Sequence, residues 1–288
     1  MSYSEELRAF TEAYPYKQMT VDSAVFRYVL AGAEKEPALV LLNGGMNTSE
    51  MWMRYVEELS KDYRVLIFDY PQQLKTNQDL VSGMKDFFEQ LGIQKSVLIG
   101  ASDGGMVAQI YTQKYPDDVS GLVLISTGGM DERTIKSLKR KYFFAPVMLW
   151  YVKHCNYEKR MKPLAIRMFT DYAKDESEEN KAYARDMAET IMKDYTKERD
   201  LHITSLLVDI MRQTPVTADT FSRLKGRILL ILPDKDFFSG EMQKDLIALM
   251  HEPKIKYVSG GHLSTVFRAE EYMDEIRSFL TKQDFCNT

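Results

Sequence analysis

The run Ser96-Val97-Leu98-Ile99-Gly100-Ala101-Ser102-Asp103-Gly104-Gly105-Met106 places one serine among glycines at the end of an apolar stretch. It reads as a short buried strand, a tight turn with Ser102 at its apex, and the first turn of a helix. In such a Gly-x-Ser-x-Gly elbow the strained backbone lifts the hydroxyl clear of the sheet, while glycines keep neighbouring side chains out of the way. The chemistry open to that hydroxyl is attack on a carbonyl. It needs a nearby base, and the base needs a third group to orient it. The same glycines match neither the dinucleotide fingerprint nor the phosphate loop, and no clustered ligand motif occurs. No metal or organic cofactor is therefore expected.

The elements that must position these groups follow from hydrophobic patterning. Lys17 to Asp22 and Val25 to Leu30 read as strands around a turn. Pro37 to Leu42, Arg64 to Asp69, Ser96 to Ala101, Gly121 to Ser126 and Arg227 to Leu232 are apolar runs of buried-strand length, and Ile255 to Val258 is a shorter one. Helical spacing fills the intervals at Ser49 to Lys61, Asn77 to Leu91 (ended by Gly92), Gly240 to Met250 and Arg268 to Leu280. The expected fold class is α/β, with a mostly parallel central sheet flanked by helices. Between about Asp131 and Pro215 the alternation stops, and only helical segments rich in Lys, Glu, Tyr and Met remain. Residues 1–130 and 217–288 are thus expected to form the core domain, with 131–216 inserted as an all-helical cap over the sheet's functional edge. Lys174 to Asn180 is a solvated loop or helix start within it.

In an open parallel sheet, reactive groups collect at the carboxyl ends of strands. Two loops of that kind follow the insertion: Pro233-Asp234-Lys235-Asp236-Phe237-Phe238 and Ser259-Gly260-Gly261-His262-Leu263. They offer His262 as the base and either Asp236 or Asp234 as its orienting acid. His154, His202 and His251 read as structural or solvated.

With these residues in chain order Ser, Asp, His, the sequence resembles the α/β-hydrolase superfamily over nearly its whole length. The resemblance implies a catalytic triad of Ser102, Asp236 and His262, with Pro233 standing where the family's Gly-x-x-Asp glycine would be and Asp234 as the alternative acid. It implies an oxyanion hole built from the backbone amide of Asp103 and the loop at Gly45 and Met46. Two departures stand out. The usual His-Gly of the oxyanion loop is Asn43-Gly44, where asparagine can still brace the loop by hydrogen bonding. The common Pro-Gly-x-Gly-x-Ser turn is replaced by Tyr70-Pro71-Gln72-Gln73-Leu74 after Asp69. The implied activity is a serine hydrolase that cleaves an ester, or second an amide, of a small acyl substrate through an acyl-enzyme. Acyl transfer, carbon–carbon bond hydrolysis and non-hydrolytic ligand binding on the same fold are the alternatives. Epoxide-hydrolase and dehalogenase readings are disfavoured, since those relatives carry aspartate at the elbow.

Composition is consistent with this. The chain has 288 residues, 44% of them hydrophobic, enough for a core without disulfides or metals. A net charge of −4 excludes a polyanion-binding surface on the whole-chain scale, so no nucleic-acid partner is expected. Cys155 and Cys286 lack metal-ligand spacing and read as incidental thiols. The polar N-terminus and the absence of a spanning apolar run point to a cytoplasmic protein without stable membrane association. Asp103 is expected to cap the following helix, whose N-terminus favours negative charge, the alternative being a pairing with a cationic group on a substrate. The aromatic run Tyr142 to Tyr151 is expected to be the buried face of a cap helix or, alternatively, the lining of an acyl pocket. A membrane-surface role for it is set aside, because the neighbouring helices read as mixed in charge.

Overall fold

Five of the apolar runs form strands buried at nearly every position, as strands covered on both faces must be, whereas the strand containing Ile255 to Val258 at the sheet edge is buried only at Val258. The structure, a computed structural model, describes residues 1–282, so Cys286 lies outside the described residues. The strands are β1 (Lys17–Val21), β2 (Ala24–Ala31), β3 (Ala38–Leu42), β4 (Val65–Phe68), β5 (Ser96–Ala101), β6 (Val119–Ile125), β7 (Ile228–Pro233) and β8 (Lys254–Val258). They lie in one sheet in the order β1-β2-β4-β3-β5-β6-β7-β8. β2 pairs antiparallel with both β1 and β4, and every pairing from β4 to β8 is parallel.

Alternate residues of each strand feed two cores. Leu98 of β5 packs into one with α3 (Asn77–Gln90), α4 (Asp103–Lys114) and α10 (Glu241–Leu249); its neighbours Val97 and Ile99 pack into the other. That second layer holds α1 (Tyr3–Ala13), α2 (Met53–Leu59) and α12 (Ala269–Lys282), with the short α11 (Ser264–Phe267) before it. The segment expected as one helix from Ser49 begins with a 3-10 turn at Ser49–Trp52. Gly92 follows α3 at a φ of 70°, the left-handed position expected of a C-terminal glycine.

Between β6 and β7 the chain runs through five helices: α5 (Glu132–Lys141), α6 (Ala145–His154), α7 (Tyr157–Tyr172), α8 (Glu178–Asp194) and α9 (Lys197–Ile210). The polar run near Lys174 is the α7–α8 turn and the start of α8. Among the described residues, no helix is long and apolar enough to cross a membrane.

Specific polar contacts fasten this helical insert to the core. Tyr183 donates to Glu6 Oε2 at 2.8 Å, and Asp186 Oδ2 accepts from the Ser4 amide at 2.7 Å. On the opposite layer the buried Asn77 side chain donates to the Leu206 carbonyl (2.8 Å) and to Asp209 (3.1 Å). Asn77→Ala would remove both of these bonds, although Asp209 keeps the Asn77 amide and the Gln213 side chain as donors. It should cost about 1–3 kcal/mol, read as a lower urea midpoint with an unchanged m-value.

Candidate active site

Ser102 sits between β5 and α4 at φ 55°, ψ −120°, a conformation that costs a non-glycine residue about 1–3 kcal/mol. It is over-determined by its surroundings. Its amide donates to the Ile125 carbonyl at 2.9 Å, and its carbonyl accepts from Thr127 Oγ1 at 2.6 Å. Glycine is required on both sides. A Cβ at Gly100 would lie 2.4 Å from the Gly104 carbonyl oxygen, and one at Gly104 would lie 2.2 Å from that of Leu42.

The loops after β7 and β8 bring two further side chains to this turn. His262 Nε2 lies 3.1 Å from Ser102 Oγ, and its Nδ1 lies 3.0 and 3.2 Å from the two carboxylate oxygens of Asp236. With Nδ1 protonated, the imidazole donates to Asp236 and accepts from the serine hydroxyl. The Asp236 side chain is fully buried and also accepts from the Phe238 amide at 3.3 Å. Asp234, the alternative acid, points elsewhere: it accepts from the Gly260 amide at 2.9 Å and shapes the loop that carries His262. Phe237 and Tyr172 flank the imidazole, with ring centroids 4.3 and 5.8 Å from it. Tyr172 comes from the insert, and nothing in its local sequence marks it out.

The other histidines lie away from this cluster. His154 contacts the Trp150 carbonyl, and His202 contacts that of Leu74, with burial lowering its pKa.

The loop after β3 forms the facing wall, and Gly45 and Met46 line the same cavity as Ser102 and Asp103. Asn43 donates to Asn47 Oδ1 (3.1 Å) and to the Phe68 carbonyl (2.7 Å). Asn47 in turn donates to the Tyr70 carbonyl (3.0 Å) and accepts from the Tyr70 amide (2.7 Å). The Tyr70 hydroxyl closes the circuit on the Asn43 carbonyl at 3.0 Å. Asparagine thus does brace this loop, and the departing Tyr70 turn supplies half of the brace. Sequence reading missed Asn47, whose side chain joins Asn43 to the Tyr70 backbone, 23 residues away.

The cavity measures about 390 Å³ and lies between the sheet edge and the insert. Met46, Met51, Met106, Met148, Met168, Met187 and Met211 line it together with Leu, Ile and aromatic side chains, so its wall is apolar and pliable.

Asp103 departs from expectation. As the first residue of α4 its backbone amide is an unsatisfied helix-start donor beside Ser102. Its carboxyl, however, caps nothing. It is 4% exposed, its Oδ1 is buried without a partner, and burial pushes its pKa up to about 7. The aromatic run also divides. Tyr142, Ala145 and Met148 line the cavity, whereas Phe143, Phe144, Val147 and Trp150 face outward, so it is not the buried face of a helix.

Residues 37–153 match the family model described as alpha/beta hydrolase fold. Proline iminopeptidase of Lactobacillus helveticus is 26% identical over 294 residues, covering 89% of this chain and 94% of that protein. Human epoxide hydrolase 4 is 28% identical over 143 residues, which span 44% of this chain and only 40% of that relative. Among solved structures, the enol-lactonase from Burkholderia xenovorans superposes with a TM-score of 0.73 at 17% identity, over 92% of this chain and all of that one.

The Asp103 carboxyl gives a signed pH dependence. The folded state holds its proton up to about pH 7, whereas the unfolded chain releases it near pH 4. Its contribution to stability therefore declines as pH rises through that window and is level above it. Asp103→Asn should gain roughly 2–3 kcal/mol on the wild type between pH 5 and pH 8, measured by urea unfolding at both pH values. An equal gap at the two would show a carboxyl that is already solvated or paired.

Proposed function

This chain belongs to the α/β-hydrolase superfamily, and within it we propose a serine hydrolase that cleaves esters bearing an uncharged, apolar acyl group. The observation that carries the reading is the continuous hydrogen-bonded relay Ser102–His262–Asp236 at the mouth of an apolar cavity.

His262 Nε2 takes the hydroxyl proton as Ser102 Oγ attacks the ester carbonyl, and Asp236 holds the imidazole in the required tautomer and stabilises the imidazolium. The oxyanion that forms is held by the backbone amide of Asp103 and by the Gly45–Met46 loop, fixed beforehand by the asparagine brace. His262 returns the proton to the leaving alcohol. Water, deprotonated in the same way, then attacks the acyl-serine and frees the carboxylic acid. The helical insert acts as the cap whose apolar lining selects the acyl group. The relatives' names differ in the bond they imply. A serine nucleophile supports acyl transfer to water rather than epoxide opening, which on this fold uses a carboxylate.

Fluorophosphonate labelling followed by peptide mass spectrometry tests the mechanism. Modification should fall on Ser102 and be lost in Ser102→Ala, and it should slow by about 10³-fold or more in His262→Ala. Folded protein that resists labelling would overturn the reading. On p-nitrophenyl esters, kcat/KM should rise roughly fourfold per added methylene until the cavity is full, the equivalent of about 0.8 kcal/mol each. A charged succinyl ester should be a poor substrate.

The unpartnered Asp103 carboxyl in the cavity wall favours a second reading, in which the substrate carries an ammonium group close to the scissile carbonyl. Such a cation would hold the carboxyl in its charged form. Asp103→Asn should then lower kcat/KM for an α-amino ester at least tenfold more than for its uncharged counterpart. Equal effects on both esters would count against an ammonium site.

A further inference from the structure

We propose that the outer face of the insert, built from α5, α6 and the start of α7, is a docking surface for an anionic lipid membrane. This goes beyond the hydrolase reading and does not depend on it.

Helix α6 is apolar around almost its whole circumference, yet only Ala145 and Val152 in it are buried. Phe143, Phe144, Val147 and Trp150 are each more than 60% exposed. The two phenylalanine rings touch each other, with centroids 5.3 Å apart. A contiguous exposed patch of this kind marks a surface that is covered in use. Its make-up of large aromatics with Trp and Tyr suits the boundary between lipid headgroups and acyl chains.

Charge decides what covers it. Residues 134–167 contain nine Lys or Arg and a single carboxylate, Glu158, in a chain whose net charge is −4. Lys162 pairs with Glu158, and Arg167 lies 3.8 Å from Asp171. Among the described residues, Lys136, Lys139, Arg140, Lys141, Lys153 and Lys159 have no carboxylate within ion-pair distance, and all six are exposed. Helices α8 and α9 carry the mixed charge read from the sequence, and Glu132 opens α5, while the rest of this face is basic. An isologous dimer through it would set like charge against like charge, which disfavours a second copy. An anionic bilayer meets both demands at once, because phosphate headgroups attract the cations while the aromatic rings enter the apolar boundary.

The face is continuous with the cavity mouth. Tyr142, Ala145 and Met148 line the cavity, and Phe143, Phe144 and Val147 alternate with them along the same stretch of chain. Docking would therefore hold the cavity entrance at the surface into which amphiphilic esters partition.

The two tryptophans make a direct test possible, because Trp52 is fully buried and Trp150 is 62% exposed. The full chain is titrated with vesicles of phosphatidylcholine alone, or mixed in equal part with phosphatidylglycerol. Emission should shift to the blue only with the anionic vesicles, and brominated lipid should quench it. Co-sedimentation should weaken as salt is added. The double variant Phe143→Ser/Phe144→Ser and the triple variant Lys139→Glu/Arg140→Glu/Lys141→Glu should each lower vesicle partitioning at least tenfold. Both should keep the wild-type circular dichroism spectrum and urea midpoint. No partitioning onto anionic vesicles, or partitioning that both variants leave intact, would overturn the proposal. So would a dimer in sedimentation equilibrium that Phe143→Ser/Phe144→Ser dissolves, since a second copy would then own the face.

Discussion

Backbone meets backbone at the Ser102 turn more closely than any side chain would permit. Gly104 packs against the Leu42 and Asn43 carbonyls, and Gly100 packs against Gly104 itself. This contact fixes where α4 begins relative to β3, and with it the direction in which the first amides of the helix point. Leu42 lies opposite Gly100 in the parallel β3–β5 pairing, so the loop that leaves β3 passes directly over the turn. The positive φ of Ser102 is the local cost of that geometry. Bonds to Ile125 and Thr127, on and just beyond the neighbouring strand β6, hold it there. A serine carried by an exposed loop would lack this rigidity, and its hydroxyl would then face the loop after β3 only part of the time.

Two aspartates show how the site divides its charges. Asp236 is fully buried, but it receives hydrogen bonds from His262 and from the Phe238 amide, which offset the loss of water. Asp103 is almost as buried and has no such partner, so its proton is held to about pH 7. The same functional group is thus hydrogen-bonded in one place and left without a donor in another, and only in the second does burial push its pKa up. The wall beside Ser102 accordingly carries less negative charge below neutral pH than the sequence Ser-Asp-Gly-Gly suggests.

The core strands were legible because a strand covered on both faces must be apolar at every position, and such runs as Ile228–Pro233 have no competing interpretation at that length. Ser102 and His262 were legible because each ends a strand in a turn with flanking glycines. The choice between Asp236 and Asp234 was not legible from spacing alone. Both follow the same strand, and only the fold sends one carboxylate to the imidazole and the other to the Gly260 amide. Asn47 and Tyr172 were silent for a related reason, since their roles arise from contacts with segments distant in sequence. The aromatic run Tyr142 to Tyr151 misled because apolarity predicts burial, and here most of it stays in water.

That exposure follows from how the insert is attached. Helix α8 buries five residues and α9 four, and these two carry the contacts to α1, α3 and the loop after β3; α5, α6 and α7 bury two each. Arg199 of α9 donates to the Asn47 carbonyl, which ties the well-buried half of the insert to the wall facing Ser102. Helices α6 and α7 are left with apolar side chains over the cavity and others toward solvent, and α5 turns its lysines and Arg140 outward. Segments with so little burial open at low free-energy cost. The cavity wall formed by Tyr142, Ala145 and Met148 therefore belongs to the less buried part of the insert, whereas Ser102 and His262 are carried by the loops of the sheet. That division lets a pliable, methionine-lined mouth vary in shape while the distances within the hydrogen-bonded relay stay fixed.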